Sequence, residues 1–338
     1  MKSMLALFQL NFHTKKKYLK RFLFCNLFCT IMFTSHAQSG ITGECSWSIF
    51  GRTLTITGTG AMLDYTPDEN TPWYSYRDSI SNVVIEDGVH HIGDFAFSQL
   101  RGLSSVTIPN TVTTIGKNAF WACWGLTSVT IQNSVTIIES FTFAGCGLTG
   151  ITIPNSVTTI SNSAFYTCRG LTSVNIPNSV TSIGVQAFDN CSGLTEITIP
   201  NSVTIIEKYA FLGCRGLTSL TISNSVAVID AGTFSYCTGL ISVTIPNSVT
   251  TISEWAFAGC RSLTSLTIPN SLTTIGNYVF SECFNLTEII NQASIPQTIH
   301  ASVFNKVNQN ACMLHVPADS IAAYQAADVW KEFKISSL

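Results

Sequence analysis

From Gly170 to Cys191 the chain reads GLTSVNIPNSVTSIGVQAFDNC, and its apolar positions change period partway through. Leu171, Val174 and Ile176 are interleaved with Thr172, Ser173 and Asn175, the spacing of an extended segment with one buried face. Pro177-Asn178-Ser179 then breaks the segment, because Pro cannot donate to a ladder and Asn and Ser favour turns. Val180 and Ile183 follow, and Ala187, Phe188 and Cys191 lie four, five and eight residues beyond Ile183. Those intervals predict about one turn of helix rather than a strand. The expected unit is a strand, a turn, a short extended piece and a helical turn.

The unit recurs with its phenylalanine at Phe97, Phe120, Phe143, Phe165, Phe188, Phe211, Phe234, Phe257 and Phe280. The step is 23 residues, except for 22 between Phe143 and Phe165, where GCGLTG has lost one residue. A fixed period of this size predicts a solenoid with one coil per repeat. Each buried apolar side chain contributes roughly 1.5–3 kcal/mol. Ordering the backbone costs roughly 1–2 kcal/mol per residue. A single coil therefore cannot fold by itself, and only stacking gives it a core. Near-identical copies follow, since each Phe, Val and Ile packs on its equivalent one rung away.

The spacing Leu171-x-x-Val174-x-Ile176 resembles the strand motif of leucine-rich repeats. The wider LTSVxIPNSVTxIGxxAFxxC resembles the BspA-like subclass of bacterial leucine-rich repeat proteins over about residues 80–285. GRTLTITGTGAM (51–62) with NTPWYSYRDSI (70–80) is similar to that family's N-terminal cap, and LHVPADSIAAYQAADVWKEF (314–333) to its C-terminal cap. The resemblance implies a right-handed stack of coils, mainly parallel β with short helical turns, capped at both ends. It divides the chain into a leader (1–37), an N-terminal cap (38–79), nine coils (80–285) and a C-terminal cap (286–338). It also implies an exported or surface-displayed protein with an adhesin-like role. The departures are local: Gln132 and Ser223 replace the turn Pro, and Leu100 replaces the first Cys.

In the first 37 residues Lys15, Lys16, Lys17, Lys20 and Arg21 precede the apolar run 22–33, which leads to Ser35-His36-Ala37. A basic region, a short apolar region and a small-x-small site predict a secretory signal peptide cleaved after Ala37. About a dozen apolar residues are too few to span a bilayer. Six of the 17 basic residues and none of the 19 acidic ones lie in 1–37, so the rest of the chain carries 11 against 19. No basic stripe of the kind nucleic acid requires is present in so acidic a chain.

Eight cysteines fall three residues after the ladder Phe: Cys123, Cys146, Cys168, Cys191, Cys214, Cys237, Cys260 and Cys283. Export favours disulfides in general, but neighbours stacked about 4.8 Å apart with parallel side chains make poor bridges. Buried free thiols acting as small hydrophobes are the expected state. Pairing between neighbours is the alternative, and no His or acid recurs beside the column to make a metal array.

The letters that change flank the Phe-to-Cys segment. They include Trp121, Trp124, Tyr166, Arg169, Tyr209, Arg215, Tyr236, Trp255, Arg261 and Tyr278. Aromatics and Arg on a Thr/Ser surface are the residues of binding hot spots, and several also serve to cover the core edge. HExxH, GxSxG, phosphate-binding and dinucleotide-binding motifs are all missing from the sequence. The expected function is a cofactor-free, non-enzymatic scaffold whose variable edge engages an extracellular protein or glycan. Structural self-association at the cell surface is the second expectation and a cap-borne hydrolase the third.

Overall fold

The computed structural model describes residues 38–338, and the expected leader lies outside the described residues. The chain starts as an antiparallel meander of β1 (Gln38–Thr42), β2 (Cys45–Phe50) and β3 (Thr53–Gly58). Parallel pairing then takes over, with β3 in register against β4 (Asn82–Ile85) from Thr53↔Asn82 to Ile56↔Ile85. The remaining strands all pair in parallel, as the coils of a β-solenoid.

Each coil contributes to two strand lines. The first holds short strands such as Ser173–Asn175 and Ser242–Thr244, and the second holds two-residue strands such as Thr159–Ile160 and Ser182–Ile183. Equivalent residues face each other, as in Val174↔Ile151 and Ile183↔Ile206, so the sequence period becomes the ladder register. The first line runs on past the last full repeat through Glu288–Asn291 and Met313–Val316 to Lys334–Ser337. The residues at 286–338 thus add rungs to the same sheet, with the short helix α1 (Ile321–Ala326) between the last two.

The Phe corner is built differently from its expected helical turn. In the Phe165 coil, the amides of Ser163, Phe165 and Thr167 donate to Val185, Ala187 and Asp189 of the next coil. The intervening amides of Ala164, Tyr166 and Cys168 donate three residues back within their own coil. An α-helix directs its amides along its own axis and would leave none for the next rung. Alternating the two destinations satisfies every second amide across the stack, so the corner becomes a run of tight turns. The geometry requires left-handed backbone two residues before and two after the Phe, for example φ 56° at both Gln186 and Asn190.

Inside this corner the phenylalanines form one continuous stack from Phe97 to Phe304, with ring centroids 5.2–5.8 Å apart. All are fully buried except Phe304, which is 2% exposed. Tryptophans close both ends. Trp73 stacks on Phe97 at 5.8 Å and donates its Nε1 to the Ala96 carbonyl, while Trp330 packs edge-on against Phe304 and donates to the Gln297 carbonyl. The ladder step in a β-sheet is about 4.8 Å. The ring centroids stand slightly farther apart than that step because the rings stack with an offset, while the backbone of the corner stays hydrogen-bonded to the next coil, as Phe188 is to Ala210 at 2.8 Å.

Candidate functional site

Several of the repeated polar letters hold one coil to the next. Thr172 Oγ1 donates to the Thr149 carbonyl at 3.0 Å and Thr195 Oγ1 to the Thr172 carbonyl at 3.3 Å. On the second line, Thr181 donates to the Thr158 carbonyl at 3.2 Å. In several coils the Ser of the turn reaches the valine carbonyl of the preceding coil, as Ser248 does to Val226 and Ser271 to Val249, whereas the Oγ atoms of Ser179 and Ser202 are buried without a partner among the described residues. The glycine before Leu is required by close approach. A Cβ on Gly193 would stand 2.6 Å from the Arg169 carbonyl oxygen, and one on Gly239 would stand 2.7 Å from that of Arg215.

The cysteine column completes this set. Each of the eight Sγ atoms lies 3.1–3.4 Å from the Phe carbonyl of the preceding coil, positioned for the thiol to donate to it. That carbonyl also accepts the Cys amide of its own coil, so one oxygen ties two rungs together. The thiols are free and buried in the structure. Burial pushes the thiols of Cys146, Cys168, Cys191, Cys214, Cys237 and Cys260 well above the ordinary thiol range, and that of Cys283 up to about 12.

The variable letters collect on the outer surface of the Phe corner, in four parallel columns. Tyr209, Trp255 and Tyr278 stand two residues before the ladder Phe, Trp121 and Tyr166 one after it, and Tyr236 two after it. Trp124, Arg169, Arg215 and Arg261 stand four after it and are exposed. Tyr209, Tyr236 and Trp255 are 38%, 44% and 41% exposed, while Tyr166 and Tyr278 are half-buried. Trp255 stacks on Tyr278 with centroids 4.3 Å apart and planes 13° from parallel.

Two details show how these aromatics are accommodated. Tyr209, Tyr236, Trp255 and Tyr278 all occupy left-handed positions, at φ 62°, 56°, 63° and 59°. Left-handed backbone costs an L-residue roughly 1–2 kcal/mol, a penalty glycine escapes. Elsewhere the same columns use Gly213, Gly232, Gly259, Asn118 and Asn190. Glycine also makes room for the aromatic of the preceding coil. A Cβ on Gly232 would stand 2.5 Å from the Tyr209 ring, and one on Gly259 would stand 2.6 Å from the Tyr236 ring.

Some variable positions face inward instead. Asp189 is 2% exposed and accepts from Gln186 Nε2 and Asn190 Nδ2 at 3.0 and 2.7 Å. Burial raises its carboxyl pKa. Arg101 lies 4.7 Å over Trp124, and Arg261 lies 5.7 Å over Phe284 while meeting Glu282 at 3.4 Å. Arg101 is an edge residue the sequence reading passed over, because its coil lacks the Cys that marks the column.

Sequence reading also missed a hollow on the strand side. Around Ser128–Thr130 the first line shrinks to a single bridge, Thr130↔Thr152. Beside it Gly150 stands where most coils carry Ser, and a Cβ there would meet nothing within 4 Å. The resulting open hollow of about 640 Å³ is lined by Ser128, Ile151, Thr152, Ser173, Asn175 and Glu196, among others. The 22-residue step was its only signal in the sequence. No helix among the described residues is long and apolar enough to cross a membrane.

Stacked coils, a parallel strand line and an aromatic column define a leucine-rich-repeat solenoid. The family described as BspA type Leucine rich repeat region (6 copies) matches residues 71–194, 113–241 and 204–322, and the chain belongs to it. A leucine-rich repeat protein from Bacteroides ovatus superposes with a TM-score of 0.64 at 24% identity, covering 87% of this chain and 80% of its own. One from Eubacterium ventriosum gives 0.50 at 22% identity, covering 90% and 84%. At these identities the likeness is one of fold. No curated protein matches the chain.

Proposed function

We propose that the protein is an exported, non-enzymatic binding scaffold, adhesin-like in role, that engages an extracellular protein or glycan with the outer edge of its Phe corner. The carrying observation is a division of labour among side chains. Two columns of repeated Thr, the Cys column and the Gly before Leu act between coils, whereas the variable edge presents Trp121, Trp124, Tyr209, Tyr236 and Trp255 to solvent. Exposed aromatics beside arginines are the composition of binding hot spots. Placing several of them on left-handed backbone, where Gly or Asn would fit more easily, adds support.

Screening the purified protein against extracellular-matrix proteins, plasma proteins and glycans tests this reading. A ligand bound saturably should be lost by about tenfold or more in a folded variant with Trp121, Trp124, Tyr166 and Arg169 all changed to Ala. Unchanged binding by that variant overturns the edge as the site. Self-association in a surface layer is a second reading, favoured by Ile41 and Phe50, which are 74% and 69% exposed on the β1–β2 hairpin at the open edge of the sheet. A molar mass that rises with concentration in light scattering would favour it.

A further inference from the structure

We infer that the edge binds a linear acidic polysaccharide with one anionic group per disaccharide, held by Arg169, Arg215 and Arg261. The inference rests on the edge reading above and names the ligand class for it. These arginines recur every 46 residues, two coils apart, at the same place four residues after the ladder Phe. The Phe rings of this stretch step by 5.2–5.5 Å per coil. The backbone amides of Phe188 and Phe211 reach the next coil at 2.8 and 2.9 Å, so two coils separate successive arginine backbones by roughly 10 Å, about twice the β-ladder spacing. A chain of alternating sugars with one carboxylate or sulfate per pair repeats its charge at a similar interval, since each pyranose advances about one ladder step.

The spacing is held rigidly. Two of the arginine amides close a tight turn onto the residue two before, Arg169 onto Thr167 and Arg215 onto Gly213, both at 2.8 Å. The following glycines, Gly193 and Gly239, admit the Arg169 and Arg215 carbonyls where a Cβ could not fit. Intervening positions in the column are the uncharged Ser192 and Thr238, so the positive charge recurs with a gap between. At the C-terminal end Glu282 meets Arg261 at 3.4 Å and Lys306 at 2.7 Å, leaving that cluster with one positive charge in excess. Beside the row, Tyr209, Tyr236, Trp255 and Phe284 expose apolar surface to the faces of the sugars.

Charge density decides between this ligand and a nucleic acid. Duplex DNA carries a charge about every 1.7 Å and would meet, besides three arginines, the excess of acids in residues 38–338, 19 against 11 basic ones. A sparse polyanion loads only the arginine row.

Calorimetry with hyaluronan oligosaccharides, which carry one carboxylate per disaccharide, tests the inference against two controls: neutral cello-oligosaccharides and duplex DNA. Affinity should rise with length until the chain reaches all three arginines, at about three disaccharides by the spacing above, and then level off. The folded triple variant Arg169→Gln, Arg215→Gln, Arg261→Gln should bind roughly ten- to hundredfold more weakly. Equal binding of duplex DNA, or hyaluronan binding indifferent to the triple variant, overturns the inference. No hyaluronan binding together with a protein or neutral-glycan ligand lost in the four-residue alanine variant overturns it while leaving the edge reading standing. No ligand of any kind overturns both.

Discussion

At the scale of single residues, the Cys–Phe contact explains why the column is so uniform. Serine could donate the same hydrogen bond, but a hydroxyl buried in an apolar corner costs more than a thiol, which behaves as a small hydrophobe. The raised thiol pKa values carry a pH dependence with a definite sign. Unfolded thiols lose their protons near pH 9.0, whereas folded Cys146, Cys168, Cys191 and Cys237 hold theirs well above that value and Cys283 up to about 12. Above pH 9 the unfolded state therefore binds fewer protons, and stability falls as pH rises. Urea melts should show constant stability from these groups between pH 7 and about 8 and a steep loss from there toward pH 11. A flat profile would mean that the column is oxidised or more accessible than the structure has it. The residue period was fully legible here, but the partner of the thiol was not. Nothing in the sequence points from Cys191 to the carbonyl of Phe165, 26 positions away.

At the scale of the element, the Phe corner shows where local reading stopped short. Intervals of four, five and eight from Ile183 fit a helix taken alone. Demand from the neighbouring coil for hydrogen bonds converts the segment into turns, and that demand is tertiary. The left-handed positions were visible only in part, because Gly213, Gly232 and Gly259 announce them while Tyr209, Trp255 and Tyr278 conceal them. A different glycine gives the test of coil packing. Gly193→Ala places a Cβ 2.6 Å from the Arg169 carbonyl oxygen, a backbone atom. The substitution should destabilise the protein by about 1–3 kcal/mol in chemical denaturation. Gly150→Ala, with nothing within 4 Å of the new Cβ, should change stability by less than about 0.5 kcal/mol.

Across the whole molecule, stability is a sum over neighbouring coils, so the weakest joint governs local opening. On the first strand line the weak joints are Ser128–Thr130, reduced to one bridge, and the steps from Ser173–Asn175 to Glu196–Thr198 and from Ser219–Thr221 to Ser242–Thr244, which form no ladder. Hydrogen exchange should find the amides of residues 127–131 less protected, by about tenfold or more, than those of Ser265–Ile268, a strand paired on both sides. Equal protection would mean that the second line alone carries the stack past the shortened coil. The ends are the other place where whole-molecule geometry matters. Trp73 and Trp330 terminate the aromatic column because indole, unlike benzene, can both cover the last ring and satisfy a carbonyl left open there.

By itself the sequence determined the period, the stacking of equivalent apolar residues, and the positions free to vary. Those follow from one physical condition: a coil of 22 or 23 residues cannot bury enough surface alone. Tertiary structure decided the rest. It turned the corner from helix to tight turns, because amides must reach the next rung. It directed Asp189 inward and Tyr209 outward from neighbouring coils, and opened a hollow where one residue is missing. It also stacked coils so that arginine backbones 46 residues apart in sequence come within roughly 10 Å, two β-ladder steps, a proximity invisible in the spacing of letters.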